Sequence, residues 1–291
     1  MGFILSIIIF TCITILGVVG VFALTGLAGL FSFGQAAFMA VGAYVAGLAV
    51  INLKLPFPVA ILLGILVGML VALVIGIPTL KLRKDYFSLV TFGFGEAIAA
   101  LLNYFVNLTG GATGMSGIPR KTDIVLVVVS TVVVIWMVRN IKYSRFGRMC
   151  ISLRNDELAA KSFGINVYMV KMQVFILSAA IAAYAGSLYG FYTTYVEPAM
   201  FGWTKSAEWV IIVFFGGINS LTGSVISAIL LTALPEVLRF ASEFRIVLYC
   251  ALIIGILNFR PKGILGEYEL NFNFLKSFGT KMRDGRKEQK R

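Results

Sequence analysis

The stretch MGFILSIIIFTCITILGVVGVFALTGLAGLFSFGQAAFMAVGAYVAGLAVINL (1–53) contains no Asp, Glu, Lys or Arg. About 20 apolar residues in helix cross a hydrocarbon core, so this stretch alone is long enough for two crossings. Further uncharged windows run 55–80, 97–119, 172–196 and 209–235. Over the full 291 residues 59% are apolar and 13% are charged. That is about half the charge of a soluble globular domain, and the mean hydropathy is +0.94. Strands of a membrane barrel would alternate polar and apolar residues, and these windows do not. The chain therefore reads as an all-α integral membrane protein, a polytopic helix bundle.

Apolar stretches at about 3–24, 28–53, 57–79, 86–108, 123–140, 172–196, 206–217, 221–238 and 244–259 mark the expected spans. The first ten residues lack the basic segment that precedes the apolar run of a cleavable signal, and read as the start of the first span. Net charge is +12, with seven Lys and Arg between Arg139 and Lys171 and nine between Arg260 and Arg291. Basic residues concentrate in cytoplasmic loops, so both segments are assigned to the cytoplasm, as is the cluster Lys81, Arg83, Lys84. Attraction to anionic head groups accounts for the excess without nucleic acid. The turn LTGGATGMSGIPR (108–120) then faces outward.

Both ends of the region after Lys171 are inside, so its crossings are even in number. Four fit if GGINSLTG (216–223) is a turn between two short segments; two fit if 206–238 dips in and returns. Four is preferred, which gives nine spans within an expected range of about eight to ten and puts the N-terminus outside. Residues 1–266 are expected to form a single transmembrane domain, with a basic, disordered tail over 267–291.

Several chemistries are missing. Histidine is absent, so the usual imidazole base and metal ligand are unavailable. Cys12, Cys150 and Cys250 are far apart and read as packing residues rather than a metal or disulfide framework. No G-x-x-x-x-G-K-[ST] phosphate loop is present, so the chain offers no ATP site. No catalytic, cofactor-binding or metal-ligating residues are assigned.

The hydrophilic stretch RNIKYSRFGRMCISLRNDELAAKSFGINVYMVK (139–171) is far longer than the connections usual in helix bundles. Asn155 or Asp156 can cap a short amphipathic helix carrying Glu157, Leu158, Ala159, Ala160, Ser162 and Phe163, and Gly164 supplies its stop. Asn166 follows, and the chain is expected to re-enter the membrane at Met172.

The pattern E-x-A-A-x-x-x-G, here Glu157, Ala159, Ala160 and Gly164, resembles the coupling loop in membrane subunits of ATP-binding-cassette importers. The wider chain is similar to the branched-chain amino acid permease family. The matching stretches are GLAGLFSFGQAAFMAVGAYVAG (26–47), LRKDYFSLVTFGFGE (82–96), LTGGATGMSGIP (108–119), YSRFGRMCISLRNDELAAKSFGINV (143–167), AEWVIIVFFGGINSLTGSVISAILLTALPEVLR (207–239) and FRPKGILG (259–266). The second and third of these resemble its LivM branch most.

That resemblance implies a permease translocating Leu, Ile or Val in the bacterial cytoplasmic membrane. It implies a second homologous permease subunit, two cytoplasmic ATPase subunits that bind the ATP, and an extracytoplasmic solute-binding protein. It also implies that Arg154, Asp156, Glu157, Ala159, Ala160 and Gly164 couple the chain to the ATPases. The family commonly has Arg before a Glu-Asp-Glu triplet, whereas Arg154 here precedes Asn155, Asp156 and Glu157, and members often begin with a further apolar segment. Sugar and nucleoside permeases share the wider superfamily and stay open as alternatives.

Polar groups inside spans are expensive and mark candidate passage or gating positions: Gln35, Thr91, Glu96 and Glu208. For Glu96 two readings stand equally, a passage-facing gate and a group satisfied by a neighbouring helix; for Glu208, near a span end, the second is preferred. Paired glycines in polar turns, Gly110 with Gly111 and Gly216 with Gly217, are candidate breaks beside a passage, whereas most other glycines read as helix packing. An ion-coupled secondary transporter is compatible with Glu96 and the glycine pairs but leaves the coupling loop without a task. A membrane enzyme would need a Ser-Lys or carboxylate pair at depth, and none can be placed. No buried pair of groups for an amino acid's ammonium and carboxylate is discernible either.

Overall fold

The computed structural model describes residues 2–237, together with Cys250, Ile254, Gly255, Asn258, Arg260, Gly263, Ile264, Gly266 and Glu269. Apart from those positions, the expected last span and the basic tail lie outside the described residues. Helix α1 (Gly2–Phe22) continues into a π-helical turn, Ala23–Leu27. Helices α2 (Gln35–Ile51), α3 (Phe57–Thr79) and α4 (Lys84–Tyr104) follow. A short α5 (Val106–Thr109) and strand β1 (Met115–Ser116) lead to α6 (Ile124–Tyr143). Then come α7 (Arg145–Asn155), α8 (Glu157–Ser162), α9 (Val167–Thr193), strand β2 (Tyr195–Val196), α10 (Trp203–Gly216) and α11 (Leu221–Val237). Five helices are long and apolar enough to cross a membrane, and α2 and α11 are shorter apolar helices. The chain is a multi-pass, all-α membrane protein.

Helices α1 and α9 form the centre and are 72% buried, whereas α4 and α6 are 17% buried and present apolar faces outward. No hydrophobic effect drives helices together in lipid, so close backbone approach does the work. It is achieved between α2 and α9: a Cβ on Gly42 would overlap the carbonyl of Ala183, and one on Gly186 would overlap that of Met39.

The charges sort the two ends of the bundle. At one end Lys84 Nζ donates to the Arg154 carbonyl (3.3 Å), and Lys142 Nζ donates to the Asn219 carbonyl (2.5 Å). Lys142 and Tyr143 also bond Glu269. Burial raises the Glu269 carboxyl, but those bonds, the Lys142 charge and the Leu221 N–H outweigh it and hold the group below the ordinary carboxylate range. This basic end is cytoplasmic by the positive-inside rule. At the opposite end β1 pairs antiparallel with β2, Tyr44 Oη donates to the Val196 carbonyl (3.2 Å), and Tyr192 Oη donates to Ser6 Oγ (2.8 Å).

Three expectations change in detail. The segment expected to be continuous over 28–53 is irregular from 29 to 34, and α2 starts only at Gln35. The exposed backbone groups are met by neighbouring hydroxyls: Ser88 Oγ donates to the Phe31 carbonyl (2.8 Å), the Phe33 N–H donates to Thr91 Oγ1 (3.3 Å), and the Ala36 N–H donates to Ser206 Oγ (2.9 Å). Irregular backbone at membrane depth survives where protein covers it in this way. Second, the stretch before the coupling helix is itself helical, α7, capped by Ser144 Oγ accepting from the Gly147 N–H (3.2 Å). Third, α9 begins at Val167 rather than Met172, capped by Asn166, because Lys171 finds a counter-charge inside the fold.

Replacing Gly186 by Leu is expected to lower stability by about 1–3 kcal/mol or more, through overpacking against α2. Gly93→Ala, where an added Cβ meets nothing within 4 Å, should leave it unchanged. Thermal unfolding of the purified protein in detergent checks the contrast.

Candidate functional site

Helix α8 hangs at the cytoplasmic end between α7 and α9. Asp156 caps it, Oδ1 accepting from the N–H groups of Leu158 (2.8 Å) and Ala159 (3.0 Å). Its stop at Gly164 needs a left-handed backbone, φ +78°, and an added Cβ there would touch nothing in the chain, so conformation rather than space requires the glycine. Ala160 is buried against the body and Ala159 is exposed. Two large apolar side chains are exposed here: Leu158 in α8 is 75% and Phe163, just past it, 86% exposed. One stands near each end of this polar, cytoplasmic protrusion, and together they make its exposed apolar surface, here called the knob. In α7, beneath it, Cys150 is buried and its thiol is pushed up to about 12 by that burial, in keeping with a packing role.

The knob is tied to the membrane helices at two points. Glu157 Oε2 accepts from Lys171 Nζ at 2.9 Å, and Lys171 is only 4% exposed within the second turn of α9. A buried ammonium costs several kcal/mol unless paired, so this bond holds α8 to α9. Arg154, at the end of α7, turns inward: Nη1 donates to the Gly26 carbonyl (2.5 Å) and to Asn219 Oδ1 (2.6 Å). Its methylenes cover Gly29, where the chain turns through φ +66°. Of the six residues expected to couple, Asp156, Glu157, Ala159, Ala160 and Gly164 thus shape α8, and Arg154 links α7 to the π-helical turn and to the α10–α11 turn.

The expected passage residues fall into separate groups. Gln35 and Thr91 meet at the start of α2, where Thr91 is fully buried and bonded to the irregular segment. Gln35 is also fully buried, yet neither its Oε1 nor its Nε2 has a hydrogen-bond partner among the described residues. Leaving such an amide unmatched costs about 1–3 kcal/mol. Glu96 lies on the outer face of α4, exposed among Gly93, Ala97 and Ala100. It is twelve residues past Lys84, about 18 Å along the helix. Glu208 pairs with Lys205 at 2.9 Å. Gly216 and Gly217 form the cytoplasmic turn into α11, where Gly216 packs on Gly223. Gly110 and Gly111 sit in the turn at the opposite end, so the two glycine pairs are not brought together.

The family model for the branched-chain amino acid transport system permease component matches residues 3–257. The chain belongs to this permease family. The LivM permease protein of the high-affinity branched-chain amino acid transport system of Salmonella typhimurium is 30% identical, covering 88% of this chain and 68% of its own length. The corresponding LivM protein of Escherichia coli is 30% identical over the same shares. The LivH permease protein of Salmonella typhimurium is 29% identical over 69% of this chain and 65% of its own length. No solved structure matches the chain.

Sequence reasoning missed several residues of this LivM-type permease. Lys171 was read as the edge of a loop, although a single cation opening an apolar run is a signal that a counter-charge lies nearby. Ser88 and Ser206, which carry the irregular segment, look in sequence like any small polar residue in a span. Asn219, which receives both Arg154 and Lys142, lies in a turn whose glycines drew attention instead.

Because Gln35 is buried without a partner among the described residues, Gln35→Leu is expected to leave thermal stability unchanged or raise it by about 1–3 kcal/mol, unlike a polar core residue engaged in bonds. Unfolding of the variant in detergent measures this, and a marked loss of stability would show that the amide is bonded.

Proposed function

We propose that this permease is a transmembrane subunit of an ATP-driven importer of branched-chain amino acids in the bacterial cytoplasmic membrane. In this reading residues 1–266 form one permease domain paired with a second, homologous permease subunit. Two cytoplasmic ATPase subunits bind and hydrolyse ATP, and an extracytoplasmic binding protein delivers the solute. The chain itself holds no cofactor and performs no catalysis. The names of its relatives, LivM and LivH permease proteins of branched-chain amino acid transport systems, support both the solute class and the pairing.

One observation carries the reading: an exposed apolar knob, Leu158 and Phe163, stands on a helix that is ion-paired to a buried lysine of a membrane helix. An ATPase that grips the knob moves Glu157, and Glu157 takes Lys171 and α9 with it. Since α9 and α2 touch backbone to backbone, α2 follows. Its start, at Gln35 and Thr91, is the weakly held part of the bundle and changes partners first, so Gln35 acts as a gating group that is satisfied in the alternate state.

The passage itself is assigned to the α4 face. A carboxylate 18 Å along a membrane helix does not face lipid, so another protein surface or water must cover Glu96. The small residues around it, Gly93, Ala97 and Ala100, permit close approach of the partner permease. An ion-coupled transporter would use Glu96 equally well, but it leaves the knob unexplained.

Leu158→Asp combined with Phe163→Asp is expected to leave the subunit inserted while abolishing co-purification of the ATPases and ATP-linked leucine uptake. Lys171→Met in a background of Glu157→Gln keeps the knob, and should retain ATPase binding while lowering uptake at least tenfold, about 1.4 kcal/mol of lost coupling. Normal uptake by both variants would overturn the assigned coupling route.

A further inference from the structure

Among α1, α2, α9, α10, α11 and the turn before α10 lies a cavity of about 360 Å3, to whose lining α4 contributes no residue. Its lining is apolar apart from one ion pair, two threonines and the Tyr189 hydroxyl, with Met39, Phe201 and Trp209 among its walls. The pair is Lys205 and Glu208, three residues apart in the first turns of α10, with Nζ and Oε2 at 2.9 Å. Their side chains are 31% and 39% exposed, so the pair is accessible from outside and is not locked by burial. Trp209 is fully buried, and its indole N–H has no acceptor among the described residues.

The geometry points to a binding site for a zwitterionic α-amino acid with an aliphatic side chain, inside this subunit and separate from the passage. The ligand's ammonium takes Glu208 and its carboxylate takes Lys205, so the resting ion pair is exchanged for two new ones and no charge is left alone. Met39 and Phe201 accept the aliphatic group. A fatty acid or a simple amine satisfies one charge and strands the other, and a sugar satisfies neither, which is how the pair discriminates. The volume lies at the small end of ligand cavities, which favours side chains of the size of leucine or valine. The aliphatic preference rests on the transport reading as well as on the walls; the zwitterion preference rests on the charges alone.

The test is equilibrium binding of radiolabelled leucine to the importer assembled with its partner subunits in nanodiscs, without binding protein or nucleotide. Saturable binding is expected, competed by isoleucine and valine. Competition by 4-methylpentanoate, which lacks the ammonium, and by 3-methylbutylamine, which lacks the carboxylate, is expected to be weaker by about tenfold or more, the worth of one charge-assisted hydrogen bond. Glu208→Gln and Lys205→Gln should each weaken leucine by a similar factor, whereas Glu96→Gln should not. Absence of saturable binding, equal competition by the one-charge analogues, or loss of binding in Glu96→Gln alone would overturn the assignment. The analogue series uses the unaltered protein and decides the matter even if a variant fails to assemble. Leucine uptake by the complete importer separates the two readings. Uptake without binding to the permease removes the cavity site alone, and binding in an importer that moves no amino acid removes the transport reading and keeps the site.

Discussion

Lys171 places a full positive charge in a nearly dry site at the cytoplasmic edge of the central helix, and Glu157, on a different element, makes that placement tolerable. The pair constrains everything around it. A buried ammonium without its carboxylate costs several kcal/mol, so α8 cannot drift from α9 while the fold persists. A surface helix of six residues would otherwise be held by little, since Ala160 is its one buried side chain. The bond turns a loosely attached protrusion into a lever fixed to the axis of the bundle.

Beyond that bond, the central helices meet backbone to backbone. The glycines at the α2–α9 crossing leave no side-chain layer to absorb displacement, and α1 and α9 are linked by Ser178 Oγ donating to the Gly20 carbonyl at 2.6 Å. The irregular segment before α2 behaves oppositely. It is held largely by side-chain hydroxyls, those of Thr25, Ser32, Ser88, Thr91 and Ser206, and ends at an amide with no partner among the described residues. A stiff core beside one thinly held seam is the arrangement expected of two discrete packings rather than gradual deformation.

Much of this was readable from residues. Charge-free windows located the helices, because nothing else in the sequence competes with the requirement to satisfy backbone groups in lipid. Asp156, Glu157 and Gly164 marked the short helix α8 through ordinary capping chemistry. The break at 29–34 was hidden because its hydrogen-bond partners are distant in sequence, Phe31 to Ser88 and Ala36 to Ser206. The inward turn of Arg154 was hidden for the same reason: its acceptors are Gly26 and Asn219. Lys205 and Glu208 are three residues apart and plainly visible, but only the packing of α1 and α11 beside them forms a cavity. Spacing along the chain revealed local chemistry, and enclosure was beyond it.

The central claim is that this bundle is moved by a separate motor through α8 and has no power source of its own. Purified permease pair reconstituted into liposomes without ATPase subunits, with proton and sodium gradients imposed in turn, tests it by following labelled leucine. The account predicts that internal leucine never exceeds the external concentration under either gradient. Accumulation above that level would contradict it.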